Sequence, residues 1–282
     1  MTILVTGAGG HLGHLVVERL LARGAAASDI VAGARTPAKA ADLAERGVRV
    51  VILDYDQPET IAAALRGIDR VLLVSGSEVG KRTAQHTAVI EAAADIELLV
   101  YTSLYRATES PLPLAPEHVA TEQAIAASGI PATILRNDWY TENYVADIAR
   151  ARETGEIVAS AGDGRVSSAS RIDYADAAAA VLLAGDHAGR VYELAGDAAW
   201  NYDELAEAAA ELVGRPVAYR RLTTEEHVAA LEAAGLDAGT AGFVAALDAG
   251  IAQGALESSD RTLSTLIGRP TTPLVEGLRA AL

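Results

Sequence analysis

Gly7, Gly9, Gly10 and Gly13 follow directly on the apolar run Ile3-Leu4-Val5 and precede a segment carrying Leu12, Leu15, Val16, Arg19 and Leu20 at helical spacing. That order reads as strand, tight turn and helix N-terminus. The first N–H groups of a helix have no intrahelical partner and carry partial positive charge, which suits an anion. Glycines let the backbone turn sharply and come close to a pyrophosphate. Gly7, Gly10 and Gly13 have a GxxGxxG spacing, out of register with the usual GxGxxG. Read alone, such a turn is an ordinary strand-to-helix loop. Its place straight after a strand favours a dinucleotide, with Gly7, Gly9, Gly10, His11, Leu12 and Gly13 as the phosphate cradle.

The end of the second strand separates the two nicotinamide dinucleotides. An NAD site carries an Asp or Glu about 20 residues beyond the loop for the ribose 2′-hydroxyl. Here no acid lies between Asp29 and Asp42, and Arg35 stands at the strand end with Lys39 nearby. An arginine fork suits a 2′-phosphate, so the expected cofactor is NADP(H). Asp54 and Tyr55, after the third strand, fall where an adenine edge would rest; Asp54 equally suits the start of the next helix. Ser75, Gly76 and Ser77 follow the fourth strand as small residues that permit backbone approach to the ribose and pyrophosphate, or that cap a helix. Arg82 is then a phosphate contact or helix surface.

These residues need a scaffold that gathers several strand ends. Apolar runs at Ile30–Ala34, Val48–Leu53, Asp69–Val74, Glu97–Thr102 and Ala132–Leu135 alternate with helical stretches ending near Arg46, Arg66, Ala94 and Ser128. Short strands alternating with longer helices imply βαβ units and a parallel sheet. The expected fold is α/β, a Rossmann-type doubly wound parallel sheet whose ligand lies at the strands' C-terminal edge. Beyond Arg136 the rhythm changes. A strand at 190–194 and helices near 203–213, 224–234 and 240–253 suggest a small, mainly helical C-terminal lobe. The division is 1–136 for an NADP-binding domain and 137–282 for a substrate-binding lobe with segments returning to the sheet.

Bulk properties narrow the function. The formal net charge of −15 disfavours nucleic acid and anionic membrane surfaces as partners. No run is long enough to span a bilayer, and the N-terminal apolar run is too short for a signal-peptide core. The chain has no cysteine, which excludes disulfides, thiolate metal sites and thiol nucleophiles and fits a reducing cytoplasm. No metal site is read from the sequence.

Tyr101-Thr102-Ser103 ends the fifth strand. In short-chain dehydrogenases a serine here polarises a carbonyl, and a Tyr-x-x-x-Lys pair about a dozen residues on supplies the proton. Leu114 and His118 occupy roughly those two places, so the dyad is absent. Simple ketone or alcohol chemistry, which needs a positioned acid, is disfavoured. His118 is a candidate acid or base, or else a hydrogen-bonded helix residue. The run Asn137-Asp138-Trp139-Tyr140-Thr141-Glu142-Asn143-Tyr144 concentrates aromatic and amide groups in a chain poor in aromatics. It reads as a pocket wall, as a capped helix start, or as both.

Several motifs together resemble the NmrA-like branch of the atypical short-chain dehydrogenases/reductases, and within it the bacterial quinone-reducing members. They are Thr6-Gly7 through Leu12-Gly13-His14, Ser77-Glu78-Val79-Gly80, Tyr101-Thr102-Ser103-Leu104 and Arg136-Asn137 with Trp139-Tyr140 and Glu142-Asn143-Tyr144. Ala161-Gly162-Asp163-Gly164, Tyr192 to Asp197, Leu266-Ile267-Gly268 and Pro270-Thr271-Thr272 extend the likeness to the C-terminus. The resemblance implies an NADPH-dependent oxidoreductase acting on quinones, as a monomer or homodimer. It implies cofactor contacts at Gly7 to Gly13, Arg35, Ser75 to Ser77, Asn137, Trp139, Tyr140, Asn143 and Arg171. Asp138 stands where the family pattern leads one to expect glycine. A hydroquinone anion has a phenolic pKa of about 10, near that of tyrosine, so the missing dyad does not forbid quinone reduction. Tyr140, Asn137 and His118 are the candidates for the reacting centre, with Trp139 or Tyr140 stacking on the acceptor ring. The competing readings are a redox sensor that binds NADP(H) without turnover and a reductase of an activated imine or enone.

Overall fold

The computed structural model describes all 282 residues. Its main sheet is built from β1 (Ile3–Val5), β2 (Ile30–Ala34), β3 (Arg49–Ile52), β4 (Arg70–Leu73), β5 (Leu98–Leu104) and β6 (Ala132–Asn137). Helices α1 (His11–Ala22), α2 (Ala41–Glu45), α3 (Pro58–Ala64), α4 (Arg82–Ala92) and α5 (Ala115–Ser128) alternate with these strands. β1, β2 and β5 are buried along their whole length, the pattern of strands covered on both faces.

The later chain adds α6 (Val145–Thr154), β7 (Glu156–Ala159), α7 (Arg171–Leu183), β8 (Val191–Leu194), α8 (Tyr202–Val213) and β9 (Ala218–Arg221). It closes with α9 (Thr224–Ala233), α10 (Ala238–Ala252), α11 (Thr262–Ile267) and α12 (Leu274–Ala281). The seven-stranded sheet runs β3-β2-β1-β4-β5-β6-β8, with every neighbouring pair parallel. The chain travels outward from β1 to β3, then returns to place β4 on the other side of β1. That reversal opens a crevice at the C-terminal ends of β1 and β4. The doubly wound parallel sheet anticipated from the sequence is observed.

Two apolar layers sandwich the sheet. On one face Val16, Val17 and Leu20 of α1 pack with Tyr174, Val181 and Leu182 of α7 and Leu263 of α11. On the other, Ile61, Val89, Ile90 and Ile125 come from α3, α4 and α5. The chain after residue 136 therefore supplies α7, α11 and β8 to the main body. Arg23 reinforces this contact by donating from Nε to Asp176 Oδ1 at 2.7 Å.

A third core joins Leu104 at the end of β5 to Tyr144, Ile148, Trp200, Leu205, Ile251 and Leu278. It is the interior of a lobe seated at the C-terminal edge of the sheet. Capping boxes at Asn201–Glu204 and Thr223–Glu226 start α8 and α9 where the sequence places helices. The two-stranded parallel pair β7–β9 is an addition that the sequence pattern does not announce. Each strand has four residues, and β9 is Ala-Tyr-Arg-Arg, too short and polar for a periodic signal.

Candidate functional site

The crevice begins with the glycine turn. Gly7 has φ +62°, a left-handed conformation that costs a glycine little, and the Gly10 N–H closes the turn on the Gly7 carbonyl at 2.9 Å. Gly13 lets α1 lie against this turn: a Cβ there would stand 2.5 Å from the Gly7 oxygen. Gly10 is the N-cap, with no side-chain cap and no acidic residue in the first turn. The N–H groups opening α1 therefore meet the cleft without a competing carboxylate.

Arg35 follows β2 and is largely exposed, its Nη1 donating to Glu78 Oε1 at 2.8 Å across the mouth of the cleft. The Arg35 hydrogen bond, then that of Lys81, holds the Glu78 carboxyl below its ordinary value. Asp54 lines the cleft and also organises the following turn, accepting from the Asp56 N–H at 3.1 Å and Gln57 Nε2 at 3.0 Å. Both sequence readings of Asp54 thus coexist. Tyr55 donates to the Val74 carbonyl at 2.8 Å and lies 2.5 Å from Thr6 Oγ1, which itself accepts the Val74 N–H. Its ring lines the cleft while its hydroxyl ties the ends of β1 and β4 together.

Ser75, Gly76 and Ser77 form the next stretch of wall. The Ser75 N–H donates to Thr102 Oγ1 at 3.0 Å, and the Gly76 N–H donates to His86 Nε2 at 2.9 Å. A backbone N–H only donates, so the His86 proton sits on Nδ1 and is given to Thr121 Oγ1, 2.9 Å away. Behind this lies a second histidine. Arg82 Nη1 donates to His118 Nε2 at 3.2 Å, which leaves His118 Nδ1 to donate to the Tyr101 hydroxyl at 2.9 Å. Burial, then the Arg82 charge, lowers both imidazoles to about 3.

Two expectations are corrected here. His118 borders the cleft, but it is neutral near pH 7 with both ring nitrogens engaged, so it is no imidazolium acid. Arg82 is 5 % exposed and lies outside the cleft lining, turned between α4 and α5 toward His118 and Glu117. It is neither a phosphate contact nor helix surface; it polarises the wall from behind.

At the opposite end, β6 delivers Asn137, and Asp138, Trp139 and Tyr140 follow it. Asn137 Nδ2 approaches the Tyr140 hydroxyl at 3.4 Å, while Asn137 Oδ1 is buried with no partner. Burial raises the Tyr140 hydroxyl above its ordinary value. The Tyr140 ring meets Tyr174 edge-on at 5.3 Å between centroids, and the Arg171 guanidinium lies 5.0 Å over it. Arg171 opens α7: its backbone N–H donates to both Glu142 carboxyl oxygens at 2.9 and 3.1 Å, and its Nη2 donates to Asn143 Oδ1 at 2.9 Å.

The cleft encloses about 630 Å³ and brings together the glycine turn, Arg35, Asp54, Tyr55, Ser75 to Ser77, His118, Asn137, Trp139, Tyr140, Asn143 and Arg171. Ser75 Oγ and Asn137 Oδ1 are buried polar atoms on its walls that have no protein partner. A glycine-lined anion cradle at one end and unsatisfied polar atoms further along fit a dinucleotide laid lengthwise. Gln85 and Thr102 also border the cleft and carried no functional signal in the sequence. Thr102 sits mid-motif on β5, and Gln85 is one polar residue among many on a mixed helix. Glu78 belongs to a quoted motif, but its position opposite Arg35 depends on a contact between loops 43 residues apart.

The comparisons with known proteins agree with this geometry. A family model described as NAD(P)H-binding matches residues 7–184. Quinone oxidoreductase 2 of Escherichia coli K12 is 47% identical over 278 residues, covering 98% of this chain and 97% of that one. The crystal structure of the Escherichia coli NADPH-dependent quinone oxidoreductase complexed with NADPH superposes with a TM-score of 0.94 at 46% identity, covering 99% of each chain. Citrobacter triphenylmethane reductase complexed with NADP(H) gives a TM-score of 0.93 at 38% identity over 100% of both chains.

Proposed function

The chain belongs to the NAD(P)H-binding, NmrA-like family of oxidoreductases, and from that premise we propose that it reduces quinones with NADPH. The near full-length likeness to a quinone oxidoreductase carries this reading. NADPH, when bound, supplies the hydride. The free N–H groups at the start of α1 would hold the pyrophosphate, and Arg35 with Lys39 would hold the 2′-phosphate. Arg35 must exchange its carboxylate partner Glu78 for that phosphate, a swap between two anions that keeps the guanidinium paired. Ser75 Oγ and Asn137 Oδ1, buried on the wall, would be the hydrogen-bonding atoms for ribose and carboxamide groups.

Trp139 and Tyr140 would wall the acceptor ring. Tyr140 is held by Arg171 and Tyr174 rather than free to swing, so it contributes a fixed surface. Catalysis then rests on positioning two flat reactants against each other in the cleft. No Tyr–Lys pair is required, because the hydroquinone oxyanion formed on reduction is far more stable than an alkoxide. A steady-state assay of NADPH and NADH oxidation across small quinones tests the proposal. Turnover with NADPH preferred is the expected result; tight NADP(H) binding without turnover on any quinone would replace it with a sensor.

A further inference from the structure

Gln85 stands on α4 among the residues that line the cleft, and it is 5 % exposed. Its Nε2 donates to Asp56 Oδ1 at 3.1 Å, while its Oε1 accepts nothing from the protein. Unlike Ser75 Oγ and Asn137 Oδ1, this oxygen is not fully enclosed by the wall. A Cβ on Gly76 would stand 3.2 Å from it and 4.0 Å from the Tyr55 ring, and Gly76 and Tyr55 line the cleft as well. Glycine at position 76 therefore leaves the Gln85 oxygen uncovered. Asp56, in the loop after β3, decides which end of the amide faces that way. A carboxylate only accepts, so it takes the NH2 end and turns the carbonyl end toward Gly76; the flipped amide would set oxygen against oxygen. Asp54, the other acceptor at this end, already receives the Asp56 N–H and Gln57 Nε2.

We infer that Gln85 Oε1 reads the adenine edge of the dinucleotide, accepting a hydrogen bond from the 6-amino group, and that Asp56 is its positioning residue. This rests on the NADPH reading. The covalent order of the cofactor places the base. The pyrophosphate falls to the glycine turn and the 2′-phosphate to Arg35, and the base hangs from the same ribose as that phosphate, on the adjacent carbon. The base therefore belongs beyond Arg35, against the ends of β3 and β4, where Leu53, Asp54, Tyr55, Gly76 and Gln85 make the wall. The edge of adenine carries one donor group, the 6-amino group, and otherwise ring nitrogens that accept. A fixed acceptor on the wall pairs with that donor. It rejects a 6-oxo purine, whose oxygen would meet the glutamine oxygen lone pair against lone pair. Gln85 thus selects the base as Arg35 selects the ribose substituent.

The test is equilibrium binding to the full chain, read by calorimetric titration without any quinone. The two probes are NADPH and its hypoxanthine analogue, in which a 6-oxo group replaces the 6-amino group. The unaltered chain is expected to bind NADPH about tenfold more tightly, the effect of one lost hydrogen bond and an acceptor left unpaired. Gln85→Met keeps the length of the side chain and removes both polar ends. It is expected to weaken NADPH by about five- to tenfold, to move the analogue little, and so to bring the ratio near one. Asp56→Asn frees the amide to turn, because asparagine accepts as well as donates. The ratio should then fall by about threefold, mainly through tighter binding of the analogue, and the double variant should match Gln85→Met. Equal affinity of the unaltered chain for the two probes would overturn the inference alone. So would a preference that survives Gln85→Met and disappears in Asp54→Asn. A preference lost in Gln85→Met but untouched by Asp56→Asn would overturn the positioning role. Failure to bind either dinucleotide would overturn the NADPH reading and this inference with it.

Discussion

The two ends of the cleft are built on opposite physical plans. The glycine-turn end consists of backbone N–H groups and exposed charge: α1 begins without a side-chain cap, and Arg35 reaches Glu78 in the open. The Asn137–Tyr140 end consists of buried side chains, and it leaves Asn137 Oδ1 and both Asp138 oxygens without partners. Solvated charges bind an anion reversibly, because an exposed ion pair has little net stability to surrender. Desolvated groups act strongly on whatever enters, because low-dielectric surroundings magnify each interaction. The difference teaches that the first end is built to pair with an anion, whereas the second carries standing electrostatic cost in its buried, unpartnered polar atoms.

The sharpest way to break the anchoring end is to fill its closest approach. A Cβ on Gly13 would lie 2.5 Å from the Gly7 oxygen, 2.7 Å from the Gly7 carbonyl carbon and 2.9 Å from the Thr6 oxygen. All three are backbone atoms, so the turn or α1 must move. Gly10 is the control, since a Cβ there meets only the Gly7 oxygen at 3.3 Å. Gly13→Ala is expected to weaken NADPH binding by more than tenfold and to cost about 1–3 kcal/mol of stability, as overpacking does. Gly10→Ala should do less on both counts. Calorimetric titration with NADPH and thermal melts would show this, and equal effects of the two substitutions would remove the close-packing account of the turn.

Acid probes the middle of the wall. His86 and His118 fall from 6.5 to about 3 in the folded chain. The unfolded chain therefore binds more protons below pH 6.5, and stability is lost as pH falls from there toward 3. Between pH 6.5 and 5 the loss should be roughly 2 kcal/mol per histidine, read as a drop in the urea midpoint. Asp138 has the opposite sign: its contribution is complete below the ordinary carboxyl value of 3.8 and is lost as pH rises through its elevated folded value. A His86→Gln, His118→Gln double variant should flatten the acid side of the stability profile and leave the alkaline side alone.

Much of the anchoring end was legible because it is local in sequence. Gly7 to Gly13 and the strand before them are contiguous, and Arg35 sits at the next strand end, so the pattern and the site are nearly the same object. The sheet was legible for the same reason, through repeated short crossovers. Arg82 shows where this stops. Its place after β4 is clear in the sequence, but which way its side chain faces is decided by α4 packing on α5, and that contact buries it against His118. The role of Tyr55 in tying Thr6 to Val74 is likewise set by three strand ends meeting, which no spacing encodes. Asp138 could be seen as a departure from the family pattern; that burial raises its carboxyl, against the Trp139 backbone N–H and the Arg106 charge, is set by the packed fold.

The smallest effect separates anchoring from selection at the exposed end. Arg35→Ala removes the cation that would meet the 2′-phosphate and is expected to cut the NADPH-over-NADH preference by about 10- to 100-fold, the range of one charge-assisted fork. Glu78 competes with that phosphate for Arg35, so Glu78→Gln should tighten NADPH by only about two- to fivefold, as befits an exposed pair. NADH, which has no 2′-phosphate, should be far less affected. The decisive measurement is the double variant. If Glu78 acts through Arg35, the gain from Glu78→Gln vanishes once Arg35 is alanine. A gain that persists there, shared equally by NADPH and NADH and fading with salt, would mean that Glu78 repels the pyrophosphate through space. In that case the mouth of the cleft excludes anions generally, and cofactor choice rests on Arg35 alone.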